Sequence, residues 1–299
     1  KFQDNSKKWR FTNDDGNLID SKGWKLNNQG KHFAYGNGYL YTNQFITFGP
    51  KVMYFVGNDG RMIVGKFQDN AKRWRYTNDD GNLINSKGWK INNQGKHFAY
   101  GNGYLYTNQF ITFGPKEMYF VGNDGLVKTS QFTYMKIATF HPDSNGLISI
   151  SEYNANKPHI DAMKYAKSIL NQVGNSLWGA YKWAGSAINY KTMTINANNG
   201  ITFFANVGFN QRRGNCYTMA SVFYYMAKAL GYNVYQVSGY HQGYNAQWPH
   251  SWCEIHMNGN KYVYDPDVYK EYGRSIYGKR YGQSGTLKYL VERNKYMHL

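Results

Sequence analysis

Arg213-Gly-Asn-Cys-Tyr-Thr-Met-Ala-Ser-Val-Phe-Tyr-Tyr-Met-Ala-Lys-Ala-Leu230, followed by Gly231, is the stretch on which the reading of this chain turns. From Tyr217 to Leu230 the apolar residues recur at helical spacing, and Gly231 supplies the stop that a helix C-terminus favours. Cys216 therefore sits at a helix N-terminus. There the unpaired backbone N–H groups and the positive end of the helix dipole favour thiolate over thiol, and the neighbouring Arg212 and Arg213 are expected to push the same way. A cysteine at such a place is either a small buried hydrophobe or a nucleophile, so its partners decide.

Those partners lie downstream. Trp248-Pro-His-Ser-Trp-Cys-Glu-Ile-His-Met257, the pair Asn258-Gly259, and Asn260-Lys-Tyr-Val-Tyr-Asp265 read as a β-hairpin closed by a two-residue turn. With that turn Met257 faces Asn260 and Trp252 falls opposite Asp265. Period-two alternation then places His250 on the face of Trp252 and Asp265, so His250 and Asp265 become diagonal neighbours, roughly 7–8 Å apart at Cα and within side-chain reach. A carboxylate so placed orients an imidazole and leaves its second nitrogen for a nucleophile. Cys253 falls on the opposite face and reads as core, although by count alone a Cys216–Cys253 disulfide stays open.

In order and context, Arg213-Gly-Asn-Cys216, Val237-Ser-Gly-Tyr240, His250-Ser-Trp252 and Tyr264-Asp-Pro266 resemble the transglutaminase-like superfamily of papain-type cysteine enzymes. The resemblance spans roughly residues 160–299, with Trp183-Ala-Gly-Ser-Ala-Ile-Asn-Tyr190 as an upstream helix. Asn215 stands where the family commonly has Asp, and Cys253 where it has a small or apolar residue. The resemblance implies an α+β domain in which Cys216 is the nucleophile, His250 the general base and then acid, and Asp265 its orienting group. It implies an oxyanion hole that includes the Cys216 backbone N–H, with Gln211, Trp178 and Trp183 as candidates for the side-chain donor.

The N-terminal half is organised differently. Residues 1–65 recur almost unchanged as 66–130, and inside each copy turn glycines at Gly16, Gly38, Gly60, Gly81, Gly103 and Gly125 are spaced by 21 or 22 residues. Each turn follows an aromatic cluster such as Trp9-Arg-Phe11 or Met53-Tyr-Phe55, which predicts six β-hairpins. Hairpins of this size are not stable alone, so successive ones are expected to stack into a solenoid. Asp143-Ser-Asn-Gly146 resembles part of a calcium loop, but His141 takes the first ligand position. Gly146 also keeps the spacing of the array, so a seventh, degenerate hairpin is the better reading. The repeats resemble the cell-wall-binding repeats of choline- and glucan-binding surface proteins. That resemblance implies a wall polymer or glycan as partner, with Trp9, Trp24, Trp74 and Trp89 as candidate ligand platforms. With tryptophan only at those four positions of the array, most hairpins lack a full cage for choline.

Composition bounds the function. The 299 residues carry 41% hydrophobic and 18% aromatic content, enough to bury two cores. The net charge of +17 is shared almost evenly between the two halves, with no basic block or reader motif, which argues against nucleic acid and suits an anionic surface. No apolar run is long enough to span a membrane. Two cysteines leave the compartment open, and the repeats favour an extracellular, wall-associated protein. Because Lys1-Phe-Gln-Asp-Asn5 recurs as Lys66-Phe-Gln-Asp-Asn70, the chain reads as beginning inside an array.

The expectation is thus a β-hairpin solenoid over residues 1–153 and a transglutaminase-like, papain-like α+β domain over 154–299, its first helix starting at Asp161. The predicted activity is thiol acyl transfer on amide or peptide bonds of a peptide or protein substrate, without cofactor or metal. Water as acceptor makes it a peptidase and an amine makes it a transglutaminase-type enzyme. The alternative is a non-catalytic wall-binding or adhesion protein that keeps the fold.

Overall fold

The computed structural model describes residues 1–49, 52–194, 196 and 198–299. The chain divides into two compact units, one of residues 1–131 and 141–150, the other of 132–140 and 151–299.

The first unit is β-rich and repeats with its sequence. Strands Phe2–Gln3, Trp9–Arg10, Tyr39–Leu40, Gly30–Gly36 and Gly23–Asn27 form a five-stranded antiparallel sheet, in that order. The second copy builds the equivalent sheet from Gly65–Gln68, Trp74–Thr77, Tyr104–Leu105, Gly95–Gly101 and Gly88–Asn92. Gln44–Phe48 with Val52–Val56, and Gln109–Phe113 with Glu117–Val121, make two-stranded ribbons. The repeats therefore group into five-stranded sheets and two-stranded ribbons, where six successive β-hairpins were expected. The reason is that the turn glycines close two kinds of loop. Asn37-Gly38 and Asn102-Gly103 adopt positive φ at both residues, the two-residue turn that matches strand twist. Gly16, Gly60, Gly81, Gly125 and Gly146 instead end wider loops, most followed by a single bridge such as Thr12↔Leu18 or Thr77↔Leu83. In the loop at Gly146, Asp143 Oδ1 accepts from Asn145 N at 2.9 Å and Leu147 N at 2.8 Å, so the carboxylate closes a turn.

Small aromatic cores also repeat at the 65-residue spacing: Phe11, Ala34 and Leu40 in one copy match Tyr76, Ala99 and Leu105 in the next. Beside them His32 and His97 are fully buried.

In the second unit, helix α1 (Ile150–Gln172) starts eleven residues before the predicted Asp161 and carries Pro158 inside. Its buried face, Ile160, Ala162, Met163, Ala166, Ile169 and Leu170, begins only at the third turn, so the earlier turns show no apolar period in sequence. Asn156 Nδ2 ties those turns to Thr139 O at 3.0 Å. Helix α2 (Leu177–Ala187) is capped by the Ser176 hydroxyl, and α3 (Ile201–Gln211) precedes α4 (Cys216–Ala229). Twelve of the fourteen residues of α4 are buried, which makes it the central core helix.

A six-stranded antiparallel sheet packs on α4. Its order is Ile276–Lys279, Asn260–Asp265, Gln247–Met257, Val234–Gln242 and Lys288–Tyr289, with Lys295–Tyr296 also pairing on Val234–Gln242. The hairpin register follows the Asn258-Gly259 turn from Met257↔Asn260 to Cys253↔Tyr264. Helix and sheet are locked by buried polar contacts: Ser221 Oγ donates to Gln236 Oε1 at 2.6 Å, and Gln236 Nε2 donates to Tyr217 O at 3.0 Å and Ser251 Oγ at 2.9 Å. No helix among the described residues is long and apolar enough to cross a membrane.

The two buried histidines make the array acid-sensitive. Burial first, and the charge of Lys1 or Lys66 second, lower His32 and His97 from 6.5 to about 4. The unfolded chain therefore binds these protons at higher pH than the folded one. Their stability contribution is complete above pH 6.5 and is lost as pH falls toward 4, on the order of 3 kcal/mol per histidine. Asp59, lowered to about 2 by its bonds to Lys1 and Arg61 against the cost of burial, acts in a separate window below its ordinary 3.8. Thermal melts should show the array destabilised between pH 6.5 and 4, and His32→Phe with His97→Phe should flatten that dependence.

Candidate active site

Cys216 is the first residue of α4, and Asn215 caps the helix by accepting from Tyr217 N at 3.2 Å. Gly214 before them has φ +154, and a Cβ there would meet Thr218 Oγ1 at 2.1 Å. Only glycine lets the chain pass close over the first helical turn and present Cys216. The short parallel pairing of Asn189–Tyr190 with Arg213–Gly214 sets Tyr190 beside it.

His250 comes from the sheet. Strand Val234–Gln242 runs against its strand with Gly239 opposite His250, where a Cβ would collide with Trp252 Cη2 at 2.7 Å. That glycine lets the Trp252 ring lie flat beneath the site, 5.9 Å from the His250 ring.

The hairpin delivers the predicted pairing: His250 Nε2 donates to Asp265 Oδ2 at 2.7 Å. The same Oδ2 accepts from Tyr289 Oη at 2.6 Å, Oδ1 accepts from Val268 N at 3.4 Å, and the Asp265 carbonyl accepts from Tyr181 Oη at 2.9 Å. Asp265 is fully buried and caps helix α5 (Pro266–Tyr272). With Nε2 committed, Nδ1 is the nitrogen left toward Cys216, and the sulfur, the imidazole and an Asp267 oxygen lie within 4.8 Å of one another.

Burial opposes the charged imidazole, but the Asp265 charge, the Asp265 hydrogen bond and the adjacent Cys216 sulfur outweigh it and hold His250 well above the ordinary histidine value. The imidazolium state is thus favoured beside the sulfur. Asp267 behaves oppositely. Burial and the charges of Asp265 and Glu271 raise its carboxyl from 3.8 to about 7 against the attraction of His250. Tyr190 is pushed up to about 12 by burial and by neighbouring Cys216, Asp267 and Glu271. The group opens into a cavity of about 420 Å³ whose lining includes Tyr190, His241, Tyr244, Trp248 and Asp267. His241 packs edge-on to His250 at 5.3 Å, and burial lowers its pKa.

Several expectations need correction. Arg212 lies over the Trp183 ring at 4.1 Å and Arg213 donates to Gln211 Oε1 at 2.9 Å, so both guanidinium groups are engaged by other partners than Cys216. Gln211, Trp178 and Trp183 do not line the cavity at Cys216; Trp178 packs on Tyr277 at 5.1 Å and Trp183 on Phe209 at 6.1 Å. Helix phase explains this, since their positions on α2 and α3 face other neighbours. Tyr190, Asp267 and Tyr289 were missed. Asp267 carried a signal, being an acid two residues from Asp265, whereas Tyr289 sits on a two-residue strand with no pattern. Both cysteines are free, and Cys253 donates to Ala220 O at 3.2 Å on the opposite face from His250.

In the array, every candidate tryptophan already carries a lysine of this chain over its ring: Lys1 on Trp9 at 4.7 Å, Lys31 on Trp24 at 4.9 Å, Lys66 on Trp74 at 4.5 Å and Lys96 on Trp89 at 4.2 Å.

Residues 170–266 match the Transglutaminase-like superfamily, so the second unit contains a transglutaminase-like domain. Glucosyltransferase-S of Streptococcus mutans is 26% identical over 228 residues, 62% of this chain and 15% of that protein, so the chain spans a small part of the length of this curated relative. Among solved structures, choline binding protein F from Streptococcus pneumoniae is similar at 20% identity and TM-score 0.33, covering 45% of this chain and 43% of that one. A putative cysteine protease from Cytophaga hutchinsonii is similar at 18% identity and TM-score 0.30, covering 36% of this chain and 37% of its own.

The two thiols should differ in reactivity. Burial pushes Cys253 well above the ordinary thiol value, while Cys216 borders the cavity next to a favoured imidazolium. At pH 6, iodoacetamide is expected to modify Cys216 at least about tenfold faster than Cys253. Equal rates by peptide mass spectrometry would remove the nucleophile assignment.

Proposed function

We propose that this protein is an extracellular, wall-associated cysteine enzyme that cleaves amide or peptide bonds by thiol acyl transfer. The observation that carries the reading is the single imidazole of His250, held by buried Asp265 on one nitrogen and facing Cys216 at a helix N-terminus with the other. The Cys216 thiolate attacks the substrate carbonyl, and the developing oxyanion is stabilised by the Cys216 backbone N–H and the neighbouring Tyr190 hydroxyl. His250 gives its Nδ1 proton to the leaving amine as the tetrahedral adduct collapses to a thioester. It then takes a proton from the acceptor that attacks the thioester. Asp265 fixes the ring throughout.

Water is the acceptor this site suits. Tyr244 and Trp248 at the cavity are 99% and 58% exposed, leaving the thioester open to solvent. Incubation with bacterial wall peptides and a labelled primary amine, read by mass spectrometry, should give cleaved peptides with little amine incorporated; predominant amine incorporation would make the enzyme a transferase. Cys216→Ala and His250→Ala should each lower turnover by about 10³-fold or more, the double variant little further, and Asp265→Ala by less than either. Full turnover in Cys216→Ala would leave the adhesion reading.

The repeats supply the wall contact. Because the lysines cap the tryptophan faces, an external quaternary ammonium finds those platforms taken, and the excess positive charge favours an anionic polymer or glycan. The whole chain bound to walls should be released by raising salt to about 1 M, where screening acts within about 3 Å, and not by choline at constant ionic strength. Release by choline alone would overturn this assignment.

A further inference from the structure

Asp267 is not used by the chemistry proposed above, yet it stands against it. The residue is 3% exposed, its Oδ1 is buried without a hydrogen-bond partner among the described residues, and its Oδ2 lies 3.9 Å from His250 Nδ1. Each nitrogen of one imidazole therefore faces a carboxylate, Nε2 toward Asp265 and Nδ1 toward Asp267. The spacing of the two acids produces this: Asp265 ends a strand and caps α5, and Asp267 lies two residues into the same turn. A buried carboxylate oxygen without a donor calls for a cation or a proton, and no lysine or arginine lines the cavity among the described residues.

We propose that Cys216 Sγ, His250 Nδ1 and Asp267 form an inhibitory Zn²⁺ site. The three ligand atoms already lie within 4.8 Å of one another, all on buried residues. A tetrahedral zinc with bonds of about 2.3 Å to sulfur and about 2.0–2.2 Å to nitrogen and oxygen holds its ligand atoms roughly 3.4–3.6 Å apart, so side-chain adjustment must draw the three together by up to roughly 1.3 Å, and the cavity leaves the fourth position for water or a substrate group. Behind the site, Nε2 already donates to Asp265, the arrangement that orients a metal-bound imidazole and raises its basicity. Thiolate with imidazole favours zinc over the hard cations magnesium and calcium. Binding displaces the Nδ1 proton and any proton on Asp267, and the dipositive ion is balanced by thiolate and carboxylate. With its lone pair on zinc, the sulfur is no longer free to attack a carbonyl. The inhibitory consequence rests on Cys216 being the nucleophile proposed above; the binding site itself does not.

The test uses the full chain with Cys253→Ala to remove the second thiol. Co²⁺ should produce a thiolate-to-metal charge-transfer band in the near ultraviolet, and Zn²⁺ should abolish it. Zn²⁺ at micromolar concentration should protect Cys216 from iodoacetamide, with a chelator restoring labelling. Asp267→Asn, which keeps the shape but removes the charged ligand oxygen, should weaken Zn²⁺ binding by at least about 100-fold, beyond the roughly 10–100-fold expected when only a partner that orients a ligand is lost. If that variant misfolds by circular dichroism, the wild-type band and its loss in Cys216→Ala decide the matter. Absence of the band and of protection at millimolar metal would overturn the site, as would Asp267→Asn binding as tightly as wild type. Turnover assayed in chelator separates the two readings. Inactivity there sinks the enzyme proposal and leaves the metal site, whereas activity indifferent to zinc sinks the site and leaves the enzyme.

Discussion

The buried carboxylate of Asp265 holds the second unit together at its functional end. It accepts from His250 on one strand, Tyr289 on another and the backbone of α5, while its carbonyl accepts from Tyr181 on α2. A fully buried acid without such partners would be costly, so each donor is required by the others. The consequence is a His250 ring fixed in orientation before any substrate arrives. Tyr181 extends the tie by accepting from Ile276 N at 3.0 Å, which fastens the edge strand to the helical layer.

The same constraint explains why the site is asymmetric. One acid, Asp265, is saturated with donors, whereas Asp267 two residues on has an oxygen with none among the described residues and is pushed up toward neutrality by burial and by Asp265 itself. Two carboxylates around one imidazole cannot both be stabilised by it equally. The saturated one orients the ring, and the other is left responsive to protons or cations. A second polar set, Ser221, Gln236 and Ser251, stands behind this and fixes α4 to the sheet, so that the sulfur and the ring arrive at the same cavity.

The first unit relies on a different economy of contacts. Its cores are small and repeat with the sequence, each joining a few aromatic and aliphatic side chains from neighbouring strands. Lysines lying on tryptophan faces cover apolar surface that such cores cannot bury, and they do so at equivalent positions in both copies, Lys1 with Lys66 and Lys31 with Lys96. The aromatic positions were plain in the sequence. Their occupants were not, because a lysine over a ring leaves no mark on periodicity.

Local rules determined a good part of this protein. The Asn258-Gly259 turn sets a register that follows from chain geometry alone, so the approach of His250 to Asp265 is legible in the sequence. Helical period and the glycine stop likewise placed Cys216 at the head of α4, and the 65-residue repeat announced the array. What the sequence alone left undecided is whatever depends on contacts between distant elements. The start of α1 was hidden because its first turns bury no apolar face, and the arginines beside Cys216 found other partners. Tyr190, Tyr289 and Asp267 reach the site through a two-residue parallel bridge, a two-residue strand and a helical turn, each too short to carry a pattern. Only tertiary packing brings Tyr190 and Asp267 to the cavity at Cys216 and Tyr289 onto Asp265 behind it, because that meeting is set by shape and buried hydrogen bonds rather than by spacing along the chain.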